Sequence, residues 1–167
     1  MFAGAMLMSI ARIALIAVLC GLLPAAADAQ DRKPTPQEVA AIRACAAKYK
    51  DNVPEGELEC LFNLVATPCI NLPGGTANLT TADCYRIEGV IWDDLLNQNY
   101  QSLLATLDAG QAAKARAMQR AWIAYRDTTC QFYDDKIQGS MAVMMHAACA
   151  TRESARRALL LAFFAGL

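Results

Sequence analysis

The sequence predicts an all-α protein, built as a short disulfide-stapled helical hairpin followed by an antiparallel three-helix bundle. Three observations carry that expectation. Apolar residues recur at three- and four-residue spacing from Val39 to Phe163, no segment alternates with period two, and six cysteines are placed symmetrically about turn signals.

The elements follow in order. Of the first 29 positions 23 are apolar, against 70 of the other 138, so the excess within the overall 56% belongs to one terminal segment. Arg12, the apolar run 13–23, Pro24 and the closing Ala27-Asp28-Ala29 have the form of a secretory signal over 1–29, with cleavage before Gln30. Eleven uninterrupted apolar residues are short of the roughly 20 needed to cross a bilayer, so no retained membrane segment is expected. Cys20 follows Leu19, where lipoprotein processing needs a small residue, and is expected to leave with the signal. Residues 30–34 read as a polar, disordered tether, and 35–167 as one helical domain. The chain is then periplasmic or secreted, in a bacterial cell.

Export leaves Cys45, Cys60, Cys69, Cys84, Cys130 and Cys149, an even number in an oxidising compartment. Two residues on a helical hairpin face each other when they lie at similar distances from its turn. Cys45 and Cys60 centre on Asn52-Val53-Pro54, Cys69 and Cys84 on Gly74-Gly75-Thr76, and Cys130 and Cys149 on Gln138-Gly139-Ser140. The expected pairs are therefore 45–60, 69–84 and 130–149. No C-x-x-C or zinc-knuckle spacing is present, so neither a redox site nor a metal site is expected.

Thr35-Pro36-Gln37-Glu38 is a capping box with proline at the first helical position, and opens a helix carrying Val39, Ile42, Cys45 and Tyr49. A second short helix carries Leu58, Leu61, Phe62 and Val65, and residues 67–80 form the longest loop of the domain, with the sequon Asn78-Leu79-Thr80. Residues 81–108 contain no proline. They place Glu88, Leu95, Leu96, Asn99, Leu103 and Leu107 within about 60° of Trp92 on a helical wheel. Ala109-Gly110 is expected to end that helix. The next helix places Ala115, Met118, Trp122, Tyr125, Thr129 and Phe132 on one seam. The last carries Met141, Met145, Ala148, Ala155, Leu159 and Phe163, with a break expected near Ala150-Thr151.

With 15 basic and 16 acidic side chains the net charge is −1, which offers no field for nucleic acid. The charge is uneven: residues 30–94 carry a net −4 and residues 95–167 a net +3. The acidic half suits a cationic partner. The one imidazole, His146, has no evident Ser, Cys or acid in triad order, and the carboxylate pairs Asp93-Asp94 and Asp134-Asp135 point to different helix faces, so no enzyme and no cofactor are expected. Met141, Met144, Met145 and His146 supply soft ligands within about a turn of helix and form a Cu(I)-binding alternative.

One constellation remains: Cys84, Glu88, Trp92-Asp93, Leu96-Asn97, Tyr100, then Gln119, Trp122, Tyr125-Arg126-Asp127, Cys130, Gly139-Ser140, Cys149, Thr151 and Arg156. It resembles the LprI-type lysozyme-inhibitor N-terminal domain family over roughly residues 60–161. That resemblance implies an exported helical protein which inhibits lysozyme by direct association. The alternative is a cell-envelope interaction module with another partner. The founding member of the family is a lipoprotein, and this chain departs from it at Cys20.

The residues of the motif, Glu88, Trp92, Asp93, Asn97, Tyr100, Gln119, Trp122, Tyr125, Arg126 and Asp127, read as packing and charge-pairing positions. Arg126 needs a carboxylate, which Asp93 supplies if Gly110 marks the turn; Glu88 points better but is offset by about 7 Å. Contact with a lysozyme cleft needs a protruding, hydrogen-bonding tip. Two loops qualify: residues 71–80, with Asn71 and Asn78, and Gln138-Gly139-Ser140.

Overall fold

The structure, a computed structural model, describes residues 32–167. The expected signal 1–29 lies outside the described residues, as does the start of the tether. Six helices follow in order: α1 Pro36–Lys48, α2 Val53–Cys60, α3 Ala66–Ile70, α4 Asn78–Thr106, α5 Ala109–Lys136 and α6 Gly139–Ala165. No strand occurs among the described residues, and the protein is all-α.

The N-terminus of α1 is set by its capping box: Thr35 Oγ1 accepts from the Glu38 N–H at 3.2 Å, and the Glu38 carboxylate accepts from the Thr35 N–H at 2.7 Å. Arg32 donates to both Glu38 oxygens at 2.7 Å, so the end of the tether is anchored to α1. All three expected disulfides are present, Cys45–Cys60, Cys69–Cys84 and Cys130–Cys149, with Cα separations of 5.8, 5.7 and 5.5 Å.

Four boundaries differ from expectation. Helix α2 stops at Cys60, so Leu61, Phe62 and Val65 belong to the turn beyond it, where Phe62 takes a left-handed φ of 66°. The loop 67–80 is shortened at both ends, by α3 and by the early start of α4. The turn between the first two long helices falls at Leu107-Asp108, because Asp108 caps α5 through a box with Gln111 and so draws Ala109 and Gly110 into the helix. Helix α6 runs unbroken through Ala150-Thr151, where the Thr151 hydroxyl donates to the Tyr85 carbonyl of α4 at 2.8 Å.

Helices α4 and α6 share the most extensive packing, and α5 packs on α6 while standing off from α4. The first pair approaches closely because its contact residues are small. A Cβ on Gly89 would lie 2.7 Å from Thr151 Oγ1. The wheel centred on Trp92 is correct: Trp92, Glu88, Leu96 and Leu103 are buried. The seam expected on α5 holds at Ala115, Met118 and Trp122, which are buried or packed against the core, and fails at Tyr125 and Phe132. Ala112, Ala115, Gln119 and Cys130 face inward, while Tyr125 and Phe132 are 53% and 63% exposed. The physical cause is the Cys130–Cys149 bond, which fixes the rotation of α5 about its axis.

At the junction of the two parts lies Glu88, fully buried. Its carboxylate accepts from the Phe62 N–H at 2.8 Å, the Ala66 N–H at 2.9 Å and the Trp92 indole N–H at 3.0 Å. Burial raises its pKa, against the lowering effect of those three donors. Arg43 of α1 adds an ion pair to Asp94 of α4 at 2.6 Å, and Arg156 of α6 one to Glu57 of α2 at 2.5 Å.

Two outcomes are expected. Glu88→Ala leaves two buried donors and one part-buried donor unpaired, at about 1–3 kcal/mol for each buried one, and should lower the urea-unfolding free energy by at least about 2 kcal/mol. Glu38, held chiefly by Arg32, has its pKa lowered from 4.5 to about 2. Its contribution is present above pH 4.5 and lost as pH falls toward 2, so Glu38→Gln should flatten the stability-against-pH curve in that window. Above pH 4.5 the raised pKa of Glu88 acts in the opposite sense, and stability contributed by its neutral form declines as pH rises.

Candidate functional site

The expected site residues fall into three places. The first is a groove of about 750 Å³ between α4 and α5, floored by α6. It exists because α5 stands away from α4. Asp93 and Asn97 line one wall, Arg126 and Asp127 the other, and Thr151 and Ser154 the floor. Four residues of the motif therefore converge on one surface.

Their pairing differs from the sequence expectation. Arg126 bonds its neighbour Asp127, through Nε at 2.9 Å and Nη2 at 2.8 Å, and its guanidinium lies 5.0 Å from the centre of the Trp122 ring. Asp93 instead accepts from Asn97 at 3.2 Å on its own helix, and Glu88 is engaged in the junction. The register explains this. With the turn at Leu107-Asp108, Arg126 is level with Gly89, about 6 Å along the helix from Asp93.

The second place is buried. Arg157 of α6, which the sequence reading missed, donates from Nε to Gln119 Oε1 at 2.9 Å and lies 5.5 Å from the same Trp122 ring. Its Nη2 has no hydrogen-bond partner among the described residues, and burial lowers its pKa. Gln119 thus serves Arg157, and Trp122 carries two guanidinium groups. Trp92 is held by Glu88, and Tyr100 packs against the core. Tyr125 joins none of these groups.

His146 also departs from expectation, because Asp134 of α5 meets its Nδ1 at 2.5 Å. The symmetry about the turn that pairs Cys130 with Cys149 could have found this contact, since Asp134 and His146 centre on the same turn. With His146, the residues Met141, Met144 and Met145 spread over about 200° of the α6 circumference at 100° per residue, so they do not converge on one ion.

The third place is the end of the bundle where α3 meets α4 and α5 meets α6. Asn78 Nδ2 donates to Ser140 Oγ at 3.2 Å and joins the two candidate loops into a single tip. Leu72 and Met141 are 63% and 50% exposed there, and Asn71 and Leu79 are also exposed. The loop is internally tied: Thr81 Oγ1 donates to the Gly75 carbonyl at 2.7 Å, and the Gly75 N–H to the Leu72 carbonyl at 2.9 Å. On the other side, Gln138 and Gly139 both take left-handed φ, 63° and 69°.

Comparison with known proteins adds one finding. The family described as lysozyme inhibitor LprI matches residues 71–161, a span that includes the groove, the tip, the third disulfide and Cys84 of the second. No curated protein and no solved structure matches the chain.

Because Arg126 pairs with a largely exposed neighbour, Arg126→Ala should cost less than about 1 kcal/mol in urea unfolding. A loss of about 3–5 kcal/mol would instead mark a buried ion pair.

Proposed function

The chain belongs to the lysozyme inhibitor LprI family, and on that premise we propose that it is an exported binding protein that inhibits lysozyme by direct association through the tip formed by residues 71–80 and 138–141. The proposal takes residues 1–29 as the removed signal, 35–167 as the working domain, and the periplasm or exterior as its location. It assigns no catalytic step and no cofactor to the chain.

The observation that carries this reading is the Asn78–Ser140 hydrogen bond, which brings two separate turns into one surface. Around it Leu72, Leu79 and Met141 offer exposed apolar area beside the exposed Asn71 side chain. Burying a side chain of that size against a partner is worth about 1.5–3 kcal/mol. The tip is tied by hydrogen bonds and by the Cys69–Cys84 bond, so little ordering cost remains to be met on binding. The net −4 of residues 30–94 favours encounter with a cationic lysozyme, and that contribution weakens as salt is added.

A turbidity assay of bacterial lysis, with several lysozyme types and the oxidised chain at micromolar concentration and low salt, tests this. Inhibition is expected for at least one type. Leu72→Asp combined with Met141→Asp should weaken it by about tenfold or more without shifting Tm. No inhibition of any lysozyme under these conditions would contradict the proposal.

A further inference from the structure

We infer that the outward face of α5 is a self-association surface, on which a second copy of this chain docks antiparallel about a twofold axis passing between Ala124 and Tyr125. This rests on observations separate from the tip.

The rotation of α5 is fixed by Cys130, which points toward α6. The opposite side of the helix should then be polar, as for any helix with one solvated face. It is not. Between Lys114 and Asp135 this face carries no charge, and it presents Tyr125 and Phe132 about 10.5 Å apart along the axis, with alanines between and beside them. Arg116, Arg120 and Asp127 lie on its flank.

The order of large and small residues is self-complementary in one register. With the axis between Ala124 and Tyr125, Tyr125 lies over the partner's Ala124 and Phe132 over the partner's Ala117. Ala121 then faces the partner's Thr128, so each large side chain meets a small one. At the ends Lys114 meets the partner's Asp135, twice by symmetry. Neither residue takes part in an ion pair among the described residues. A parallel pairing would oppose Phe132 to itself and Lys114 to itself. Sliding the antiparallel pair by one heptad would set Lys114 against Thr128 and lose both charge pairs. Charge and shape therefore select the same arrangement.

One helix face per chain is a small interface, so the dimer is reversible and depends on concentration. The tips, at the C-terminal end of α5, then lie at opposite ends of the dimer and both stay free.

Sedimentation equilibrium or light scattering on the oxidised full chain tests this. The mass should rise with concentration toward that of two chains. Lys114→Glu should weaken association by about tenfold, because two attractions become two repulsions. Adding Asp135→Lys to the same chain should restore it. Ala124→Trp should abolish association, with helix content, Tm and lysozyme inhibition unchanged. A single-chain mass at every concentration up to about 1 mM would overturn the inference, as would indifference to Lys114→Glu or failure of the double reversal to rescue.

Discussion

The Glu88 carboxylate is the constraint on which the rest of the molecule depends. A fully buried carboxylate is costly unless its oxygens are matched, and here three N–H groups match them. One belongs to Phe62 in the turn after α2, one to Ala66 at the start of α3, and one to Trp92 at the centre of α4. The consequences propagate outward. Phe62 is held in a left-handed conformation that costs about 1–2 kcal/mol for an L-residue. The bond to Ala66 fixes the start of α3, α3 carries Cys69, and Cys69 is tied to Cys84 on α4. The loop 71–80 is thus held at both ends, and the tip inherits its rigidity from a carboxylate in the core.

A second constraint is the inequality of helix contacts. Gly89 and Thr151 let α4 and α6 approach closely, whereas the face of α5 that meets α6 includes Gln119 and Cys130 and leaves space on its α4 side. The groove is the result. The motif residues read from the sequence are divided between scaffold and surface: Glu88, Trp92, Gln119 and Trp122 hold elements together, while Asp93, Asn97, Arg126 and Asp127 remain at the groove wall. Trp122 serves both sets, because Arg126 and Arg157 both lie over its ring.

Much of the fold was legible in the sequence wherever a local rule had a geometric consequence. Symmetry about a turn identified three disulfides, and a capping box located the start of α1. The phase of α5 was not legible beyond Trp122, because hydrophobicity alone prefers the side bearing Tyr125 and Phe132, while a covalent bond at Cys130 decides the matter. The partners of Glu88 were equally hidden. They are backbone N–H groups in an irregular turn, and no side chain marks them. Of the candidate site, the two loops were visible as turns, but their union through Asn78 and Ser140 was not, since those residues are 62 apart in sequence.

Amide hydrogen exchange of the oxidised chain, with and without a lysozyme that it inhibits, measures most directly whether the tip is the contacting surface. The expected result is slowed exchange in residues 71–80 and 138–141, with α1 and the groove walls unchanged. Protection confined to the groove around Asp93 and Arg126, with none at the tip, would contradict the assignment.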